Sequence, residues 1–194
     1  MVKLKRYWKA GLVILTVLSF SFALQAPSQA TTAATAQQTG VAIGWSAGYQ
    51  AGGNPAGIWA GYSAGYTLNA DERQLLGLIN QERVANHLPV FTVSLRLSYL
   101  ARLRAQEMDD IQILTHFLPV YGTPPQMEEA AGLTGKLYGA ENIVRAPDVA
   151  SGNQALFNSP PHRANLLDPR ETEIGLGVVR DHNGIWVSEL FMAD

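Results

Sequence analysis

Cysteine is absent from all 194 residues. The folded core must therefore hold by burial alone, without disulfides. Thiolate metal ligation, Cys nucleophiles and lipid anchoring through an N-terminal Cys are excluded with it. Acidic side chains are missing from residues 1–30, and charge of either sign is missing from 31–70. The longest apolar run, Ala10 to Leu24, is fifteen residues. A bilayer-spanning helix needs roughly 20. Nothing comparable closes the chain, so no C-terminal hydrophobic tail serves as an anchor. There is no H-E-x-x-H, no P-loop, no dinucleotide fingerprint and no nucleophile elbow.

The short apolar run follows Lys3, Lys5, Arg6 and Lys9 and leads to Ser28-Gln29-Ala30. A basic start, a short apolar stretch and small residues at 28 and 30 define a signal peptide over 1–30, cleaved after Ala30. Cleavage leaves ten basic against sixteen acidic side chains, a formal charge of −6. Phosphate neutralisation by Lys and Arg drives nucleic-acid binding, and this balance opposes it. No basic run suited to anionic membranes is present either. The expected partner is a small ligand or a cell-wall component, and the expected location is outside the cell or on the wall.

Residues 31–69 are read as a flexible spacer. Eight glycines between 31 and 70 make ordering costly. GWSAGYQAGG at 44–53 is loosely echoed by GIWAGYSAGY at 57–66. Trp45, Tyr49, Trp59, Tyr62 and Tyr66 make the tract adhesive. The alternative reading of 40–66 is an aromatic surface that packs on wall glycan or on itself, as in a wall or coat protein.

A globular domain is expected over 70–194. Asn69-x-x-Glu72 has the form of a capping box, and Leu75, Leu76 and Ile79 follow at helical spacing, predicting a helix over 70–86. His87-Leu88-Pro89 ends it. Ser94 caps a second helix, with Leu97, Leu100, Ala101, Ala105 and Met108 forming its apolar stripe. Shorter helices are expected at about 125–131 and 148–158, followed by a rigid Ser159-Pro160-Pro161 turn. The period then changes to two. Ile174, Leu176 and Val178, then Ile185, Val187 and Glu189, alternate with their neighbours around Asn183-Gly184, predicting an antiparallel hairpin with a five-residue connection. Helices first and strands last argue for an α+β fold, with helices covering an antiparallel sheet.

Four histidines are present. His87 and His182 are explained by a helix end and a turn. His116 and His162 lie in unusual surroundings, with Glu141 in an apolar stretch between them. Two imidazoles and a carboxylate can hold a divalent metal with an open position, or act as a general acid and base. Helix capping and core hydrogen bonds would equally account for them.

The segments LLGLINQERVANHLPVFTVSLRLSYLARLRAQEM, THF, GAENIV, NSPPHRANLLDPRETEIGLGVV and WVSELF occur in an order that resembles the CAP superfamily, in particular its cysteine-free, SCP-like extracellular bacterial branch. The resemblance runs from about Leu75 to Phe191. It implies a three-layer α-β-α sandwich with a central antiparallel sheet. It also implies a cleft lined by His116, Glu141 and His162, with zinc or another divalent metal as the possible cofactor. Eukaryotic relatives usually add a second Glu from the helix before the last His; here that helix, DVASGNQALF, offers only Asp148 and Gln154, and such an incomplete set is common in the bacterial branch. Leu156 stands where many relatives have Trp, and Pro161 where they usually have Gly. A secreted binding module is the first functional expectation, with metal, apolar or wall ligands. A metal-assisted, peptidase-like hydrolase using Glu141 is the second, and assembly through 40–66 the third.

Overall fold

The computed structural model describes residues 55–194. The expected signal peptide and the spacer up to residue 54 lie outside them. A short helix, α1 (Pro55–Ile58), is followed by α2 (Ala70–Ala85), β1 (Thr92–Val93), α3 (Leu95–Ile111), α4 (Pro124–Ala130) and β2 (Leu137–Ala146). Then come α5 (Val149–Asn158), α6 (Pro160–Leu166), β3 (Glu173–Asp181) and β4 (Gly184–Ala193).

The capping box forms as its spacing predicts. Asn69 Oδ1 accepts from the Glu72 amide at 2.9 Å, and Glu72 Oε2 accepts from the Asn69 amide at 2.8 Å. Glu72 is wholly buried, and its carboxylate also pairs with Arg102 and accepts from the Val178 amide at 3.2 Å. One side chain thus ends a helix, ties it to α3 and docks it on β3. Ser94 accepts from the Leu97 amide to start α3. His87 takes a left-handed φ of 60° just beyond the end of α2.

The four strands lie in the order β1-β3-β4-β2. β3 and β4 form the expected antiparallel hairpin, but Asp181 pairs with Gly184, so the connection is the two residues His182 and Asn183, not five. The pairing runs on to the turn through Arg180 and Asp181, which carry no apolar signal in the sequence. β2 pairs antiparallel with β4, and the two-residue β1 pairs parallel with β3. β2 carries no clean alternation in sequence, because Gly139, Glu141 and Asn142 interrupt it.

Period two sorts the strand residues to two faces. Ile174, Leu176 and Val178 of β3 pack with Ile185, Val187 and Phe191 of β4 beneath α2, α5 and α6. On the other face Trp186, Leu190 and Met192 pack with Leu97, Leu100, Ala101 and Met108 of α3 and Met127 of α4. The result is a three-layer α-β-α sandwich. On this second face β3 presents Gly175 and Gly177. A Cβ at Gly177 would lie 2.1 Å from the Ala101 carbonyl carbon, and one at Gly175 would lie 2.4 Å from that of Leu97. The missing side chains let α3 rest directly on the strand.

Two local outcomes differ from the sequence reading. Pro160 and Pro161 open a helix, α6, instead of forming only a turn; the first helical positions need no N–H donor, so two prolines there cost nothing in hydrogen bonds. Residues 55–69, read as the end of a flexible spacer, lie on the domain. Ile58 and Leu68 are buried, and Trp59 Nε1 donates to the Ala131 carbonyl at 3.2 Å. Aromatic area offsets the glycine entropy cost: Trp59, Tyr62 and Tyr66 gather around Tyr99 with ring centroids 5.4–5.8 Å from it. No helix among the described residues is long and apolar enough to cross a membrane.

Candidate functional site

The site is organised by two adjacent residues of the edge strand β2. Neighbouring strand residues point to opposite faces. Glu141 turns toward α3 and Asn142 toward α6, and each anchors one histidine-bearing segment.

On the α3 side the Glu141 carboxylate is buried and fully engaged. Oε1 accepts from Arg104 Nε at 2.6 Å and from Ser188 Oγ at 2.7 Å. Oε2 accepts from Arg104 at 3.1 Å and lies 2.8 Å from His116 Nδ1. A carboxylate only accepts, so His116 carries its proton on Nδ1 and presents Nε2 as an acceptor or ligand. His116 itself stays 53% exposed. Its loop is held from α3 by two buried charges one helical turn apart. Arg104 donates to the carbonyls of His116, at 2.8 Å, and Gly122, at 3.1 Å. Glu107 accepts from the amides of Val120, at 2.6 Å, and Tyr121, at 3.2 Å. Burial raises the Glu107 pKa while those two amides work against the rise.

On the α6 side Asn142 Nδ2 donates to the His162 carbonyl at 3.1 Å and to Glu189 Oε2 at 3.0 Å, while Asn142 Oδ1 accepts from Asn165 at 2.9 Å. His162 Nδ1 lies 2.8 Å from Ser159 Oγ, which leaves Nε2 of this ring uncommitted as well. Burial, aided by the nearby His116, lowers the His162 pKa, which favours the neutral ring. Glu189 is completely enclosed; burial pushes its carboxyl up to about 8, against the opposing Asn142 bond, and its Oε1 has no partner among the described residues.

The structure therefore brings His116 and Glu141 into direct contact and places His116 close enough to act on His162 electrostatically. Ser159 joins His162 but not Glu141, so Ser159, His162 and Glu141 do not line up as a nucleophilic triad. Pro160 and Pro161 also remove the two amides that would otherwise follow Ser159 as donors. His87 and His182 stay outside the site. Among the described residues no group of three or more His, Asp or Glu is arranged to hold a metal ion. Glu141 does not fit as a third ligand, because each of its oxygens already has two partners.

Arg104, Ser188, Asn142 and Glu189 escaped the sequence reading as site residues. Two of them carried a usable signal: Arg104 falls three residues after Ala101 and four after Leu100, on the apolar stripe of α3, and Glu189 shares the strand face of Ile185 and Val187, where an unpaired charge would be untenable.

The three-layer α-β-α sandwich is the fold of an SCP-type domain. The family model for the cysteine-rich secretory protein family (CAP) matches residues 76–190, more than half of the chain, and the chain belongs to that family. An uncharacterized Bacillus subtilis protein, YkwD, is 34% identical over 124 residues, covering 63% of this chain and 48% of its own length. The chain thus spans about half of that relative. Among solved structures, an extracellular SCP-domain protein of Bacillus anthracis superposes with a TM-score of 0.58 at 26% identity, covering 65% of this chain and 41% of that one. An outer surface protein of Borrelia burgdorferi gives 0.57 at 20% identity, covering 64% and 93%. The latter likeness concerns the fold alone.

Proposed function

We propose that this protein is a secreted binding module that captures its ligand between the Nε2 atoms of His116 and His162. One observation carries this reading: the contact of Glu141 with His116 Nδ1, which fixes the ring tautomer and leaves Nε2 exposed. A carboxylate behind a ligating imidazole orients the ring and raises its basicity. A zinc or other divalent ion held by the two rings would keep open positions for a second donor from wall or solute. Ile113, Leu114 and Phe117, 57%, 46% and 66% exposed, flank His116 and suit an apolar portion of that ligand. The basic and apolar start of the chain supports export, as does the extracellular placing of the Bacillus anthracis neighbour.

Metal-assisted hydrolysis at the same residues has less support. It calls for a carboxylate free to take a proton from water, and Glu141 is committed to Arg104, Ser188 and His116.

Calorimetric titration of zinc into the chain lacking residues 1–30 tests the proposal. Saturable binding is expected, lost in His116→Ala and in His162→Ala with unchanged unfolding transitions. Absence of binding, or binding indifferent to both substitutions, overturns it.

A further inference from the structure

A cavity with no histidine in its lining lies where the segment before α2 crosses α3. It encloses about 500 Å³ and is lined by Gly61, Tyr66, Tyr99, Arg102, Leu103, Gln106 and Asp110. That volume falls within the roughly 300–1,000 Å³ of small-ligand sites. Part of the lining comes from residues upstream of 76–190, so the family match does not encompass it.

Its walls combine flat apolar faces with convergent polar groups. The Tyr66 and Tyr99 rings stand nearly perpendicular, at 89° and 5.5 Å between centroids. The Tyr99 hydroxyl already accepts from the Gly61 amide at 3.1 Å. The Tyr66 hydroxyl is buried and has no partner among the described residues. Buried hydroxyls are rarely left so, and this one belongs to a residue of the lining. Gln106 and Asp110, both exposed, hydrogen-bond to each other at 2.9 Å one helical turn apart.

Charge narrows the ligand class. Arg102 is neutralised by Glu72, its guanidinium donating to both carboxylate oxygens. Asp110 therefore leaves the lining without surplus positive charge, and an anionic ligand would be repelled. A cation would compete with Arg102, which already lies 4.5 Å from the centroid of the Tyr66 ring and occupies the face a cation would seek. A neutral ring with an apolar face and hydroxyl edges satisfies both constraints. Its C–H face would pack on the Tyr99 and Leu103 side of the lining, and its hydroxyls would reach Asp110 and Gln106.

We infer that this cavity is a carbohydrate site for a neutral pyranose unit of a glycan, independent of the histidine pair. The segment 57–68 then serves as one wall of a sugar site as well as part of the core.

The test titrates the chain lacking residues 1–30 with chitotriose, a neutral N-acetylated sugar, by ligand-observed NMR, with choline and glucuronate as charged probes. The comparison variants are Gln106→Ala/Asp110→Ala, whose side chains are exposed and carry no core packing, and Tyr66→Phe, which removes only the hydroxyl. Saturable chitotriose binding is expected. It should weaken by at least about tenfold in the double variant and less in Tyr66→Phe, with the charged probes inert. His116→Ala/His162→Ala should leave it unchanged, which separates this result from the zinc titration. Lack of chitotriose binding, indifference to the double variant, or equal binding of choline or glucuronate overturns the inference.

Discussion

Replacing Glu141 by Gln probes the centre of the site and the stability of the domain at once. The side chains of Arg104 and Glu141 are 0% and 1% exposed, so their pairing is screened by neither water nor salt. Glutamine preserves the volume but offers one acceptor oxygen in place of two, and its amide would point a donor at donors on Arg104 or His116. Arg104 keeps its bonds to the His116 and Gly122 carbonyls but loses its counter-charge in a dry setting. Stranding one member of a buried ion pair costs about 3–5 kcal/mol. A domain of this size has about 5–15 kcal/mol in all. With a urea dependence of about 1–3 kcal/mol per molar, the unfolding midpoint should fall by about 2 M. Adding Arg104→Met to Glu141→Gln should recover part of the loss, because the double variant buries no orphan charge. A single-variant loss below about 1 kcal/mol, or a double variant no more stable than the single one, would refute the assignment of Glu141 as a charge-pairing and orienting residue.

Further expectations concern the buried acids and the glycine contacts. Glu128 and Glu189 are enclosed, and burial pushes both carboxyls up to about 8. The folded chain then binds more protons than the unfolded chain between the ordinary carboxyl range, near 4.5, and about 8, so stability should decline as pH rises through that window. Urea midpoints measured from pH 5 to pH 9 should show the slope, and Glu189→Gln should flatten it; a midpoint that rises over the window contradicts the reasoning. Gly177→Ala should abolish cooperative unfolding, since its Cβ would meet the backbone of α3. Gly132→Ala, with φ of 67° and open space around it, should cost only about 1 kcal/mol of backbone strain in the same denaturation assay. Near-equal losses for the two would show that α3 can shift off the sheet.

Much of this architecture is legible along the chain because its signals are local. Asn69, Ser94 and the period changes place α2, α3 and the final hairpin with no knowledge of packing. β2 and α6 were harder to read. The strand is interrupted by the residues that build the site, and the helix opens with two prolines whose helical role depends on position. The site was half readable. The motif order behind the family resemblance marks His116, Glu141 and His162, but the role of Glu141 depends on Arg104 and Ser188, which lie 37 and 47 residues from it. No spacing rule connects those positions. The segment 55–69 illustrates the opposite problem, since its glycines announce freedom while its aromatics find a partner only when α3 supplies Tyr99.

The adjacency of Glu141 and Asn142 has a mechanical consequence. The two histidine segments lie in opposite layers of the sandwich, tied to opposite faces of the edge strand β2 through Glu141 and Asn142. Any ligand gripped by both rings is therefore a clasp across that edge, resisting separation of the layers. Its binding energy enters the stability of the whole domain, growing as the logarithm of ligand concentration over the dissociation constant. A melting curve alone, followed with rising ligand, would then report occupancy of the site.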